Sequence, residues 1–224
     1  MISGDPVREE LARLTPLEAA PRLLGARLQV VSGGDIVAVR ITEAEAYWGV
    51  HDPGSHGSRG QTPRNEVMFG PAGKLYAYLT YGMHVCVNVV TGSVSECAAV
   101  LLRAGEVVEG QSVARGRRTA FRRKGARALR EHELARGPAN LARSLGLGVD
   151  DNGVDLFRPG GRIQLEMPEI WQTQELAPRI RRSLRTGVAV PGGEAPYDWR
   201  WWLTGEPSVS PYQPHRSVRA NLVQ

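Results

Sequence analysis

The stretch Ile36 to Tyr47 constrains this chain more than any other, because it keeps strand period throughout: the odd positions read Val37, Val39, Ile41, Glu43, Glu45 and Tyr47. Ahead of it, Ser32-Gly33-Gly34-Asp35 separates the run from Leu28–Val31 and reads as the turn of a hairpin whose second strand delivers Glu45. One face of that strand begins as core and ends in two carboxylates and a phenol. A carboxylate continuing a buried face either passes the sheet edge into water or enters a pocket that perturbs it. Small and turn-forming residues lead from Tyr47 to His56, and on these residues alone both readings stand.

The rest of the chain is punctuated by 26 glycines and 15 prolines, which favours many short elements over a few long helices. Thr15-Pro16-Leu17-Glu18 is a capping box with proline at the first helical position, so a helix is expected over Pro16–Leu24, stopped by Gly25. Trp48–Phe69 reads as a long polar excursion, of a length that is usually functional. Leu75–Thr80 and His84–Val90 flank a turn at Tyr81-Gly82-Met83 and read as a second hairpin, followed by a strand over Ala98–Arg103. One or two exposed helices are expected in Arg115–Arg136 and another from Pro138 to Leu145. Beyond these come a turn at Arg158–Gly161 and a strand at Ile163–Glu166. A strand entry is expected at Arg185–Val188, and an aromatic strand at Tyr197–Leu203. A length of 224 residues without linker or repeat suits one domain, residues 1–224, with ends frayed over about 1–10 and 212–224.

The net charge of +5 suits a polyanionic partner. Of the 28 basic residues only Lys74 and Lys124 are lysine, a bias that a GC-rich genome also produces. Clustering argues for more: Arg115, Arg117, Arg118, Arg122, Arg123, Lys124, Arg127 and Arg130 form one block and Arg179, Arg181, Arg182 and Arg185 a second, and both are expected to meet phosphate. No apolar run approaches a membrane span and no leader pattern opens the chain, so a soluble, cytoplasmic protein is expected. Cys86 and Cys97 are too few for a disulfide scaffold or a cysteine-rich metal site, and His51, His56 and His84 lack zinc spacing, so neither metal nor cofactor is expected.

Taken together, Glu43-Ala44-Glu45-Ala46-Tyr47, Gln61-Thr62-Pro63-Arg64-Asn65, Met68-Phe69, Leu75-Tyr76-Ala77-Tyr78, Tyr81-Gly82-Met83, Asn88 and Leu101-Leu102-Arg103 resemble the alkyladenine (3-methyladenine) DNA glycosylases. The likeness runs more weakly through Leu23-Leu24-Gly25, Gly137–Leu141 and Arg185–Val188, and several separate motifs in the right order make coincidence a poor explanation. It implies a single-domain α+β fold with a curved, largely antiparallel sheet and peripheral helices, like a formyltransferase C-terminal domain. It implies that Glu45 activates water, with Arg103 beside it. Tyr47, His56 and Tyr78 would wall a flat ring, and Asn88 would reject the 2-amino group of guanine. Tyr81 would enter the duplex in place of the target nucleotide, with Gly82, Met83, Arg59 and Arg64 touching DNA. The implied substrate is double-stranded DNA with damaged purines, handled by a monomer associated with the nucleoid in a bacterium.

The residues support those roles on physical grounds. A target base hidden in the stack must be turned out, at a cost of a few kcal/mol that damage lowers. Two readings from other classes compete: a binding module that releases no base, and a hydrolase of free nucleosides or RNA. Intact Glu45 and Arg103 oppose the first, and the arginine blocks and Tyr81 oppose the second.

Overall fold

The computed structural model describes residues 6–167 and 176–221. Its architecture is α+β, an open antiparallel sheet with helices at its periphery. The strands are β1 (Arg27–Ser32), β2 (Asp35–Trp48), β3 (Leu75–Thr80), β4 (His84–Val90), β5 (Ala98–Glu109), β6 (Ile163–Glu166), β7 (Ile180–Ser183) and β8 (Arg200–Leu203). They pair in the order β3-β4-β5-β2-β1-β6, with β8 joining β2 beyond the end of β1 and β7 pairing with β8. The helices are α1 (Pro6–Arg13), α2 (Pro16–Arg22), α3 (Gln111–Thr119), α4 (Pro138–Leu145) and α5 (Arg216–Asn221). α1 and α5 thus occupy parts of the terminal stretches expected to fray; residues 1–5 and 222–224 lie outside the described residues.

Local signals formed as their chemistry dictates. Thr15 caps α2 with its side chain accepting from the Glu18 amide, Glu18 Oε2 accepts from the Thr15 amide at 2.9 Å, and Gly25 at φ +87° turns the chain away. Gly33 and Gly34, at φ +61° and +87°, close the β1–β2 hairpin with Ser32 opposite Asp35. α4 starts at Pro138 and ends at Gly146, as read.

The spine of the sheet is the β2–β5 pair, and β5 runs six residues past the end expected for it at Arg103. Here the period-2 reading needs correction. Ile41 pairs with Gly105, Glu43 with Ala104 and Ala44 with Leu102, so Thr42 and Arg103 are each an extra residue in their strand. The inserted residue flips the parity of β2: Val37, Val39 and Ile41 lie in the main core, and after the bulge it is Ala44 and Ala46 that do. Glu43, Glu45 and Tyr47 therefore stand on the face opposite Val37, Val39 and Ile41.

Other expectations also need correction. Arg115–Arg136 is not a run of helices: α3 begins at Gln111 and stops at Thr119, leaving irregular chain to a single 3-10 turn at Glu131–Glu133. Arg185–Val188 is a loop after β7, and of the aromatic run only Arg200–Leu203 is strand. The second arginine block is consumed internally, since Arg179 pairs with Glu206 (2.6 Å), Arg182 with Asp198 (2.8 Å) and Arg185 with Asp52 (2.6 Å), while Arg181 bonds backbone carbonyls.

Candidate active site

The face of β2 that carries Glu45 and Tyr47 looks into a pocket of about 310 Å³, lined by Tyr47, His56, Tyr76, Tyr78 and Asn88, with Met68, Pro53–Gly54 and the loop Gly187–Val190 completing it. Hairpin register explains the convergence. Tyr76 and Tyr78 are two apart on β3, and Asn88 on β4 lies opposite Tyr76, so all three share one face.

The rings form a cage. Tyr76 and Tyr78 stack with centroids 5.3 Å apart, and His56 meets Tyr78 edge-on at 4.5 Å. The Tyr76 hydroxyl shares a 3.0 Å hydrogen bond with His56 Nδ1, so Tyr76 fixes the histidine as well as packing in the cage. Burial and the nearby Arg64 hold the His56 imidazole below its ordinary value, which favours the neutral ring. Burial pushes the Tyr76 phenol up to about 12 and raises Tyr78 as well, so the cage presents neutral π faces at physiological pH. Asn88 donates to the Tyr76 carbonyl at 3.0 Å, which sets its rotamer.

Beneath the cage lies Glu45, fully buried. Its Oε2 accepts from the Tyr47 hydroxyl at 3.0 Å and its Oε1 from the Thr186 amide at 2.8 Å. Arg103 Nη1 stands 3.5 Å away, a looser contact. Burial first, then the charge of Glu45, raises the Tyr47 phenol well above its usual value, so it stays protonated and donates. Burial opposes the charge on Arg103, but Glu45 and Glu43 more than offset this and hold the guanidinium above its ordinary value.

Glu43 neither faces solvent nor enters the pocket. It accepts from Arg103 Nε (3.0 Å), Arg200 Nε (2.6 Å) and the Ser210 amide (2.8 Å) and hydroxyl (3.0 Å) in a buried network that orients Arg103 toward Glu45. Glu106, three residues on in β5, pairs with Arg40.

Sequence reading missed two further arrangements. Asp52 and Arg185, both fully buried, join bidentately at 2.6 and 2.7 Å; Arg185 also donates to the carbonyls of Ala46 and Gly192 and lies 4.6 Å over the Tyr47 ring. This pair ties the end of β2 to the loop that walls the pocket. Asn65 donates to the His56 and Gly60 carbonyls and accepts from the Thr62 amide, so the long excursion folds around one amide side chain. Membership of the Gln61–Asn65 motif was the only signal for it; Arg185 was named in a motif without its partner, and Asp52 and Ser210 left no signal.

The remaining expected residues lie outside the pocket. Tyr81 and Met83 are 84% and 70% exposed at the tip of the β3–β4 hairpin, with Tyr81 and Gly82 at φ +50° and +66°. Arg64 lies at the mouth, bonded to the Leu79 carbonyl and 5.8 Å over the Tyr78 ring, and Arg59 is exposed on the neighbouring loop. Among the described residues no cluster of His, Cys, Asp or Glu is arranged to hold a metal, and no helix is long and apolar enough to cross a membrane.

A buried carboxylate and guanidinium under an aromatic cage, on an open antiparallel sheet, have the make-up of an enzyme for flat, polar rings. A family model described as Methylpurine-DNA glycosylase (MPG) matches residues 9–207. A relative from Leifsonia xyli subsp. xyli is 50% identical over 200 residues, covering 89% of each chain. One from Nocardia farcinica is 49% identical over 95% of this chain and 92% of its own, and one from Streptomyces avermitilis 43% identical over 96% and 95%. All three carry the name "Putative 3-methyladenine DNA glycosylase". The chain belongs to the methylpurine-DNA glycosylase family. Its class of reaction is therefore hydrolysis of N-glycosyl bonds in DNA, in repair of alkylation damage.

Proposed function

We propose that the pocket receives an alkylated or deaminated purine turned out of duplex DNA, and that a water activated by Glu45 attacks the sugar carbon of its glycosidic bond. The observation that carries this reading is the carboxylate of Glu45, fully buried behind the cage with a phenol, a backbone amide and a guanidinium as partners. An ionised carboxylate offers about four lone-pair sites, so these partners leave it room to accept a proton. The water oxygen bonds to the sugar carbon, its proton passes to Glu45, and the electron pair of the broken bond leaves with the purine. General-base assistance of this kind is worth about 10²- to 10⁴-fold.

The cage supplies discrimination. Cationic rings such as 3-methyladenine gain up to about 2 kcal/mol over desolvated aromatic faces, which Tyr47, Tyr76 and Tyr78 present. Asn88, in the pocket lining, would clash with the 2-amino group of guanine, a role its fixed bond to the Tyr76 carbonyl supports. Exposed Tyr81, at a two-residue left-handed turn, supports insertion into the vacated stack, an element a hydrolase of free nucleosides would not need. Lys74 pairs with Asp155 at 3.7 Å and does not line the pocket, which supports simple hydrolysis over Schiff-base chemistry and strand cleavage. One lesion at a time asks for no second subunit, and the substrate places the protein with the chromosome.

The test is product analysis on duplexes carrying one hypoxanthine or one 3-methyladenine. Free base should appear with an unbroken strand that breaks only on later alkali treatment, and borohydride should trap no protein–DNA adduct. A trapped adduct or direct strand scission would contradict the hydrolytic reading.

A further inference from the structure

A second concavity, about 490 Å³, lies on the other side of the β3–β4 hairpin. The faces of that hairpin differ: Tyr76, Tyr78 and Asn88 line the purine pocket, whereas Val87 and Val89 belong to the main core and Val85 packs against it. The second concavity continues from Val85 and the exposed Met83 at the hairpin tip to Arg117, Phe121 and Arg143. Phe121 is 73% exposed, and the Arg143 guanidinium sits 4.6 Å over its ring.

Its arginines lack carboxylate partners, although Arg117 donates to the Ser144 carbonyl and Arg118 to the Leu134 carbonyl. Among the described residues, no ion pair joins Arg115, Arg117, Arg118, Arg122, Arg123, Lys124 or Arg143 to a carboxylate; in this region only Arg127 has one, with Glu133. Arg118 is 92% buried and its Nε has no hydrogen-bond partner. Burial, and then the neighbouring Arg143 and Arg122, lower its guanidinium to about 10. The second arginine block is the opposite case, with three of its four members already in ion pairs. A fold that neutralises one block and leaves the other repelling itself beside the hairpin tip is arranged for an external polyanion.

We infer that this groove seats the phosphate backbone of the strand complementary to the damaged one. The inference rests on the proposed reading of the pocket. With Tyr81 between the strands, a nucleotide leaving toward Tyr78 exits on one face of the hairpin, and the undamaged strand is left on the face where Met83, Phe121 and Arg143 lie. Phe121 offers a flat apolar surface beside the sugars, and Arg143, 4.6 Å over its ring, supplies donors for a phosphate.

The test is binding against salt concentration, by anisotropy of a labelled lesion oligonucleotide as duplex and as single strand. Arg143→Gln in the groove, and separately Lys124→Gln at an exposed position of the adjoining basic block, should each flatten the duplex slope by about 0.9 and leave the single-strand slope unchanged. Arg182→Gln, from the paired block, should change neither. Unaltered duplex slopes in both variants would overturn the inference. Equal flattening on both substrates would also overturn it, since the groove would then serve the damaged strand. Failure of the wild type to release any base would refute the proposed chemistry without touching these slopes, so the two claims fail separately.

Discussion

Asp52 and Arg185 stand 133 positions apart and meet as a fully buried, bidentate pair against the Tyr47 and Trp199 rings. Such a pair costs desolvation on both sides, so it is weak evidence of net stability, but removing one charge strands the other. Asp52→Asn keeps the shape and removes the charge; it should lower stability by about 3 kcal/mol or more, read from the urea midpoint. A loss under about 1 kcal/mol would mean that the Ala46 and Gly192 carbonyls suffice to hold the guanidinium. Glu43 works on the same principle, with two arginines and two Ser210 donors saturating its oxygens so that Arg103 has one orientation toward Glu45.

Among the elements, the β3–β4 hairpin joins stability to function most visibly. Its tip carries Tyr81 at φ +50°, a region that disfavours a residue with a Cβ by about 1 kcal/mol. Thermal unfolding of Tyr81→Gly should therefore show stability kept or raised by up to about 1 kcal/mol, the relief being partly offset by the entropy of glycine. The same variant should release base more slowly from duplex than the wild type and at nearly the wild-type rate from a single-stranded lesion. Equal rates on duplex would remove the side chain from insertion.

β2 shows the other side of element-scale design. Its alternation announces a strand, and the bulge at Thr42 decides which face each half presents. Were Thr42 paired in regular alternation instead of bulged, Glu45 would face the main core with Val37, Val39 and Ile41, where no partner offsets its charge. With it, the carboxylate reaches Tyr47, Thr186 and Arg103.

At the scale of the whole molecule, what the sequence disclosed was local and what it concealed was long-range. Hairpins at Gly33–Gly34 and Tyr81–Gly82, the Thr15–Glu18 cap and the Gly146 stop rest on neighbours within a few residues, so their chemistry is legible in order. Tyr47, His56, Tyr78 and Asn88 were legible as a group through family likeness, and the structure gathers all four around one pocket. Paired bulges were not legible, because Thr42 and Arg103 look like any strand residues until their partners are known. Nor was the wall Gly187–Val190, which owes its place to an arginine whose carboxylate lies in a different loop. The two arginine blocks look alike in composition, and the placement of Glu206, Asp198 and Asp52 pairs three members of one with carboxylates, whereas Arg127 is the one member of the other so paired among the described residues.

All of this converges on one buried carboxylate. Single-turnover base release from a hypoxanthine duplex, measured alongside duplex affinity for wild type and Glu45→Gln, tests it most directly. The account predicts at least about a hundredfold slower release by the variant with affinity kept within a few fold. Equal release rates from two proteins that bind equally well would contradict it.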